Sequence, residues 1–226
     1  MTPSHWIITA DGTDHPISGT AVLVPGAVPR IEVIAHSLAQ INRFTGHASR
    51  PYSVAEHSML VCDIVKGMGL DHHAQRAALM HDAHEAITGD MASPIKWVLG
   101  TEWLGFENLH ARMLRHAYHL QTAHTAYGHA IKQADLIALA TERRDLMRYD
   151  PDTNLQWPIL DTPGAQVLPL EAVDLNSPVR VAMTWRHHRD AFIARYRLLA
   201  AQCSTSSTTQ PTTPTTPTTT TEANPS

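Results

Sequence analysis

Along most of the chain apolar residues recur with the 3.6-residue period of a helix. Ile34, Leu38 and Ile41 stand at i, i+4 and i+7, and comparable stripes run through 54–66, 74–88, 102–119, 129–148 and 179–201. The pattern predicts a mainly α fold, a helical bundle. Ahead of the stripes, Trp6-Ile7-Ile8-Thr9 and Thr20-Ala21-Val22-Leu23-Val24 are short β-prone runs separated by Asp11-Gly12 and Ser18-Gly19 turn signals. They predict a small N-terminal β-hairpin. From Ser204 onward the chain is Ser, Thr and Pro with no large apolar residue, so burial cannot offset the entropy of ordering it. The expected organisation is one domain over 1–203 and a disordered Thr/Pro-rich tail over 204–226.

Composition narrows the function. The 226 residues are 43% hydrophobic and 17% charged, enough for one well-buried domain. A formal charge of −4 gives no electrostatic reason to expect nucleic acid as the main partner. No apolar stretch approaches the roughly 18 residues of a membrane span, and Met1 to Gly12 has neither a basic nor an apolar leader pattern, so no membrane partner and a cytoplasmic location are expected. Two cysteines, Cys62 and Cys203, make neither a disulfide framework nor a thiolate zinc site. The 16 histidines are the exception to this ordinary composition, and they direct attention to metal binding by imidazole and carboxylate.

Three helical patterns each place a ligand-type residue on an apolar face. His57 shares a face with Val61 and Ile64, in a helix that Ser53 and Glu56 start as a capping box. The next carries His81-Asp82-Ala83-His84-Glu85, and about 100° per residue puts Ala74, Ala78, His81, Asp82 and Glu85 on one arc. Asp135 interrupts the stripe of Ile131, Leu139 and Leu146, where an unpaired carboxylate would cost several kcal/mol. Two His with two Asp suit one divalent ion (Mn, Fe, Co, Zn or Mg), with positions left for water and a phosphoryl oxygen. Glu85 projects beside them, where a carboxylate can deprotonate a water. Arg43, with Arg50 nearby, ends a helix and enters a Thr-Gly-His loop, a natural place to grip phosphate. His110, His116, His119, His124 and His129 have no accompanying carboxylates and are expected in surface or capping roles, and the basic residues of 180–197 on a solvated face.

The run His57, His81-Asp82, Asp135 resembles the signature of the HD-domain phosphohydrolases. The words Ile41-Asn42-Arg43-Phe44-Thr45-Gly46-His47, Tyr52-Ser53-Val54-Ala55-Glu56-His57-Ser58, Met80-His81-Asp82-Ala83-His84-Glu85-Ala86 and Ala134-Asp135-Leu136-Ile137-Ala138-Leu139-Ala140-Thr141-Glu142-Arg143-Arg144-Asp145 are similar to the phage and prophage YfdR-type group, related to the YfbR-type 5′-deoxynucleotidases. The resemblance runs from about Trp6 to Tyr196 and includes Gln156-Trp157-Pro158-Ile159-Leu160. It implies an HD-domain helical bundle, with His57, His81, Asp82 and Asp135 as metal ligands and Glu85 serving the attacking water. It further implies Arg43 on the phosphate and Asp90 near the deoxyribose, with Phe44 where the nucleotidases carry Trp. The implied activity is removal of the 5′-phosphate from deoxyribonucleoside monophosphates, with a small-molecule deoxynucleotide as partner and a homodimer as the assembly to test. Hydrolysis of a deoxynucleoside triphosphate such as dATP is the enzymatic alternative, set second because few further basic residues flank the motifs. A catalytically silent, metal-stabilised nucleotide-binding or regulatory module is the other.

Overall fold

Two antiparallel strands, β1 (Trp6–Ile8) and β2 (Asp14–Pro16), precede a succession of helices in the computed structural model, which describes residues 5–18 and 28–206. These are α1 (Ile31–Leu38), α2 (Val54–Gly67), α3 (His72–Leu79), α4 (Glu85–Thr88), α5 (Ser93–Leu99) and α6 (Thr101–Ala117). The chain continues through α7 (Gln121–Leu146), α8 (Pro158–Asp161), α9 (Pro178–Val181) and α10 (Trp185–Ser206). Among the described residues no helix is long and apolar enough to cross a membrane.

Helix α2 holds the centre because nearly every side of it is apolar. Val54, Ala55 and Cys62 join one cluster with Ile34, Leu38, Leu79, Phe192 and Leu199. Leu60, Val61 and Val65 join a second with Tyr52, Ala74, Ala78, Ala134, Ala138 and Leu146. The alanines of α3 and α7 carry almost no side-chain bulk, so both helices pack closely on α2, while α10 lies over α1 and α3. Asp71 caps α3 by accepting from the amide of Ala74 at 2.9 Å, and Ser53 caps α2 by accepting from the amide of Glu56 at 3.2 Å.

Several expectations are corrected. The hairpin returns at Asp14–Pro16, because Gly12, at φ 80°, and Asp11, whose carboxylate accepts from Thr9 and Thr13, turn the chain immediately after β1. A return strand of Asp, His and Pro has no β-prone pattern to read. The run 20–24 lies outside the described residues. The stripe 74–88 is not one helix: α3 stops at Leu79 and α4 starts at Glu85, with a tight turn between. Ile41 lies beyond α1, so Arg43 ends no helix and instead precedes a 3-10 turn at Phe44–Gly46. The 179–201 stripe divides into α9 and α10, because Thr184 turns its amide to Nδ1 of His187 at 3.0 Å. Helix α10 continues to Ser206, with Ser204 Oγ donating to the Ala200 carbonyl, so the first residues of the expected tail are helical; 207–226 lie outside the described residues.

Of the basic residues expected on a solvated face, Arg186, His187 and Arg197 are exposed, but several of the set also tie helices together. Arg195 pairs with Asp63 at 2.6 Å and Arg197 with Glu32 at 2.7 Å. Glu56, expected to close a capping box, turns its buried carboxylate away from Ser53. It accepts two bonds from Arg50, at 2.8 and 2.9 Å, with Arg180 at 3.3 Å and His188 at 3.5 Å. Arg50 also donates to the carbonyl of Leu175, which fastens the 170–177 segment to the head of α2. It is therefore occupied within the fold rather than available to phosphate. Breaking a buried pair of this kind leaves an uncompensated charge. Arg50→Ala should destabilise the fold by about 3 kcal/mol in urea unfolding and leave divalent-ion uptake by the folded protein unchanged.

Candidate metal centre

The break after α3 is what shapes the centre. In a continuous helix the carbonyl of Ala78 would accept from the amide of Asp82; here it accepts from the amide of His81 at 3.3 Å and from the His81 ring Nδ1 at 2.8 Å. The ring is thereby oriented with Nε2 outward. Met80 and the four residues after it form a tight turn of i to i+3 bonds, and this brings His81 and Asp82 to one place facing α2 and α7.

His57, fully buried on α2, meets them. Its Nε2 lies 3.4 Å from His81 Nε2, 3.3 Å from Asp135 Oδ1 and 3.6 Å from Asp82 Oδ2. His81 Nε2 is 3.1 Å from Asp82 Oδ2 and 3.9 Å from Asp135 Oδ1. Donor atoms bound at about 2.1 Å to one ion stand roughly 3.0–3.4 Å apart at octahedral or tetrahedral angles, close to this spacing. His57, His81 and Asp135 form one of two His and carboxylate groups among the described residues that could hold a metal ion, and Asp82 adjoins it.

Charge fits a divalent cation as well as spacing does. Two neutral imidazoles and two carboxylates sum to −2. Burial and the Arg43 charge push the His57 imidazole down, but Glu142 and Asp135 outweigh them and carry its pKa up to about 9. Against its burial, Asp82 is held well below the usual carboxylate range by His81 and His57. With no cation present the carboxylates keep a proton on His57, and an ion bound at Nε2 would take that proton's place. On its outer side Asp135 accepts from Lys132 at 2.8 Å.

Glu85 is almost wholly buried at the start of α4, and its Oε2 has no hydrogen-bond partner. Burial first, and then the charges of Asp82 and Asp90, raise its pKa well above the carboxylate norm. Arg43 is nearly buried too, with Nη1 3.7 Å from Asp82 and Nε 3.3 Å from Glu142, although the second pair lacks hydrogen-bond alignment. Burial opposes its charge, but Glu142, Asp90, Asp82 and Glu85 raise its pKa further above its ordinary value. Phe44 and Thr45 follow at φ 57° and 53°, a left-handed stretch unusual for non-glycine residues. The Phe44 ring lies 6.4 Å from that of Trp157. Asp90 acts on Arg43, Asp82 and His57 through its charge, and burial raises its pKa. The structure thus brings His57, His81 and Asp135 into one group, with Asp82 joined to it through the two histidines and Glu85, Arg43 and Asp90 at the edge.

Two features were not legible as functional. Glu142, inside a quoted word but given no task, is fully buried and accepts from His57 Nδ1 at 2.5 Å and Tyr52 Oη at 3.0 Å. Its signal was the position seven residues beyond Asp135, on the same face of α7. The second is a cavity of about 250 Å³ where Lys96, Arg115, Lys132, His84 and His124 meet His81, Asp82 and Asp135. Lys96, Arg115 and Lys132 lie far apart in sequence, so only the fold gathers these cations. His110, expected in a surface or capping role, is buried under the hairpin with Nε2 3.3 Å from the Ile17 carbonyl.

Asp135→Ala should abolish stoichiometric binding of a divalent ion, measured by elemental analysis after dialysis, since it removes a ligand charge from a mostly buried centre. Full metal content in that variant would overturn the assignment.

No family model matches the chain. Over 169 residues, 70% of this chain and 83% of the relative, it is 34% identical to the uncharacterized protein RCAP_rcc00048 of Rhodobacter capsulatus. Over 131 residues, 58% of this chain and 67% of the relative, it is 39% identical to the uncharacterized protein YfdR of Escherichia coli K12. At that identity and coverage, the chain belongs to the family of YfdR and RCAP_rcc00048.

Proposed function

We propose that this chain is an HD-type phosphohydrolase that uses one divalent ion, Mn, Fe, Co, Zn or Mg, to remove the 5′-phosphate of a deoxyribonucleoside monophosphate. One observation carries the proposal: nitrogen and oxygen atoms of His57, His81 and Asp135 lie 3.3–3.9 Å apart, Asp82 stands 3.1 and 3.6 Å from the two histidines, and a nearly buried guanidinium, that of Arg43, is 3.7 Å from Asp82. An ion held beside an arginine suits an anionic ester, because both offer charge where the phosphoryl oxygens gain it.

When bound, the ion would supply Lewis acidity toward water and the phosphoryl group. The chain's residues do the rest. Arg43 neutralises phosphate charge, and its burial makes that contact stronger than it would be in water. Glu85 Oε2, left without a partner, is the acceptor for the proton of the attacking water. As the new oxygen–phosphorus bond forms, the bond from phosphorus to the sugar oxygen breaks, and that oxygen takes up a proton. Phe44 and Asp90, beside the arginine, are suited to the sugar.

A second reading, hydrolysis of a deoxynucleoside triphosphate, is favoured by the cavity with Lys96, Arg115 and Lys132 next to His81 and Asp135. The apparent shortage of basic residues in the sequence is therefore no argument against a longer phosphate chain. Lys96 is engaged by Glu107 at 2.5 Å and Lys132 by Asp135, which leaves Arg115 the more available cation.

Supplying the metal-loaded chain with each deoxynucleoside mono- and triphosphate decides between them. Release of inorganic phosphate from monophosphates supports the first reading, release of triphosphate the second, and no product with either leaves a metal-stabilised binding module. Glu85→Gln should keep the ion and lower kcat by roughly two to four decades, with near-parental turnover counting against its role. Arg115→Ala should reduce kcat/KM for triphosphates by at least about 10-fold and leave that for monophosphates unchanged.

A further inference from the structure

Glu142 lies two helical turns beyond Asp135 on α7, fully buried, and its two oxygens are divided between different tasks. Oε1 accepts from Tyr52 Oη at 3.0 Å and from His57 Nδ1 at 2.5 Å. Oε2 faces Arg43 Nε at 3.3 Å. We propose that Glu142 is a positioning residue for both halves of the centre: it aims His57 Nε2 at the metal position and holds the Arg43 guanidinium at the phosphate position, so that one carboxylate couples the two affinities. The metal half rests on the centre's geometry, and the phosphate half on the phosphohydrolase reading.

The two histidines of the centre solve the same problem differently. A ligating imidazole needs an acceptor on its other nitrogen to fix ring orientation and tautomer. His81 sits where the helix breaks and finds the Ala78 carbonyl at 2.8 Å. His57 sits inside an unbroken helix whose carbonyls are committed to the ladder, so its acceptor must come from another element, and α7 supplies Glu142. A charged acceptor also makes His57 a stronger donor to a cation than a carbonyl would.

The Arg43 half follows from charge. A carboxylate this deeply buried requires a cation, and neither the Tyr52 hydroxyl nor a metal-ligating neutral His57 provides one. Arg43 does, with Nε 3.3 Å from Glu142 Oε2. Arg43 Nε is buried against Glu142 Oε2, which restrains the guanidinium, while Nη1 only approaches Asp82 at 3.7 Å and so stays available to an anion. A restrained side chain loses less freedom when it binds an anion.

The test measures binding, not turnover. Mn²⁺ affinity, and inorganic phosphate affinity of the Mn²⁺-loaded chain, are determined by calorimetry for the parent, Glu142→Gln, Arg43→Ala, the double variant and Tyr52→Phe, each shown to be folded by circular dichroism. Glu142→Gln, isosteric but uncharged, should weaken Mn²⁺ binding by about 10–100-fold. It should weaken phosphate binding by at least about 10-fold in the parent background and have no further effect on phosphate in the Arg43→Ala background, which a merely structural acid would not produce. Tyr52→Phe should weaken Mn²⁺ binding by a few-fold, since it removes one of the bonds that orient Glu142. Parental Mn²⁺ affinity in Glu142→Gln, or a phosphate effect that persists without Arg43, overturns the proposal. If Glu142→Gln fails to fold, parental Mn²⁺ affinity in Tyr52→Phe overturns it. A parent chain that takes up no divalent ion removes the metal centre itself, an outcome distinct from a parent and variant that bind equally.

Discussion

A helix enclosed by apolar neighbours on almost every side nevertheless carries Glu56 and His57 side by side in its first turn, and the rest of the molecule is arranged to meet them. Neither residue can reach water, so each must find its counter-groups in protein. Glu56 is met by Arg50, Arg180 and His188, which brings the connection into α10 and the start of α10 itself against α2. About 100° further round the same turn, His57 is met by Glu142, Asp135, His81 and Asp82, which brings in α7 and the break between α3 and α4. One pairing holds the helices in place, and the adjacent one creates an ion-sized gathering of donors.

This division explains why so similar a pair of signals in the sequence came to different ends. Arg43 and Arg50 are both loop arginines within one stretch, and composition does not separate them. Arg50 meets a carboxylate with matching bidentate geometry and two carbonyl contacts, and its donors are used up. Arg43 meets carboxylates at 3.3 and 3.7 Å without saturating its donors. Availability of the guanidinium, which only coordinates reveal, is the distinguishing property.

Much of the centre was legible because it violates the apolar pattern. His57 beside Val61 and Asp135 between Ile131 and Leu139 stand out as polar residues on core faces, and the α character of their segments follows from the same period. What escaped reading was local geometry or distant assembly. Helical periodicity carried the 74–88 stripe through the turn at Met80, although that turn is what orients His81. The spacing of Glu142 seven residues beyond Asp135 is masked because the acid stands near the end of the helix, followed directly by Arg143 and Arg144. The Lys96, Arg115 and Lys132 cluster depends on α5, α6 and α7 converging, which no local window contains. The strand Asp14–Pro16 was invisible since hairpin pairing, not side-chain preference, makes it extended.

The connection between α1 and α2 doubles back on itself. Arg43 donates its amide to the Tyr52 carbonyl at 2.9 Å, Val54 donates to Ile41 at 3.0 Å, and Asn42 pairs with Ser53, so the arginine and the first turn of α2 belong to one short ribbon. The separation between the guanidinium and the His57 ring is consequently set within a stretch of about fifteen residues and owes little to the slower, long-range assembly of α7 and α10. During folding the Arg43 side chain and the His57 imidazole can acquire their spacing before His81, Asp82 and Asp135 arrive. The ribbon then acts as a template on which the rest of the centre is completed.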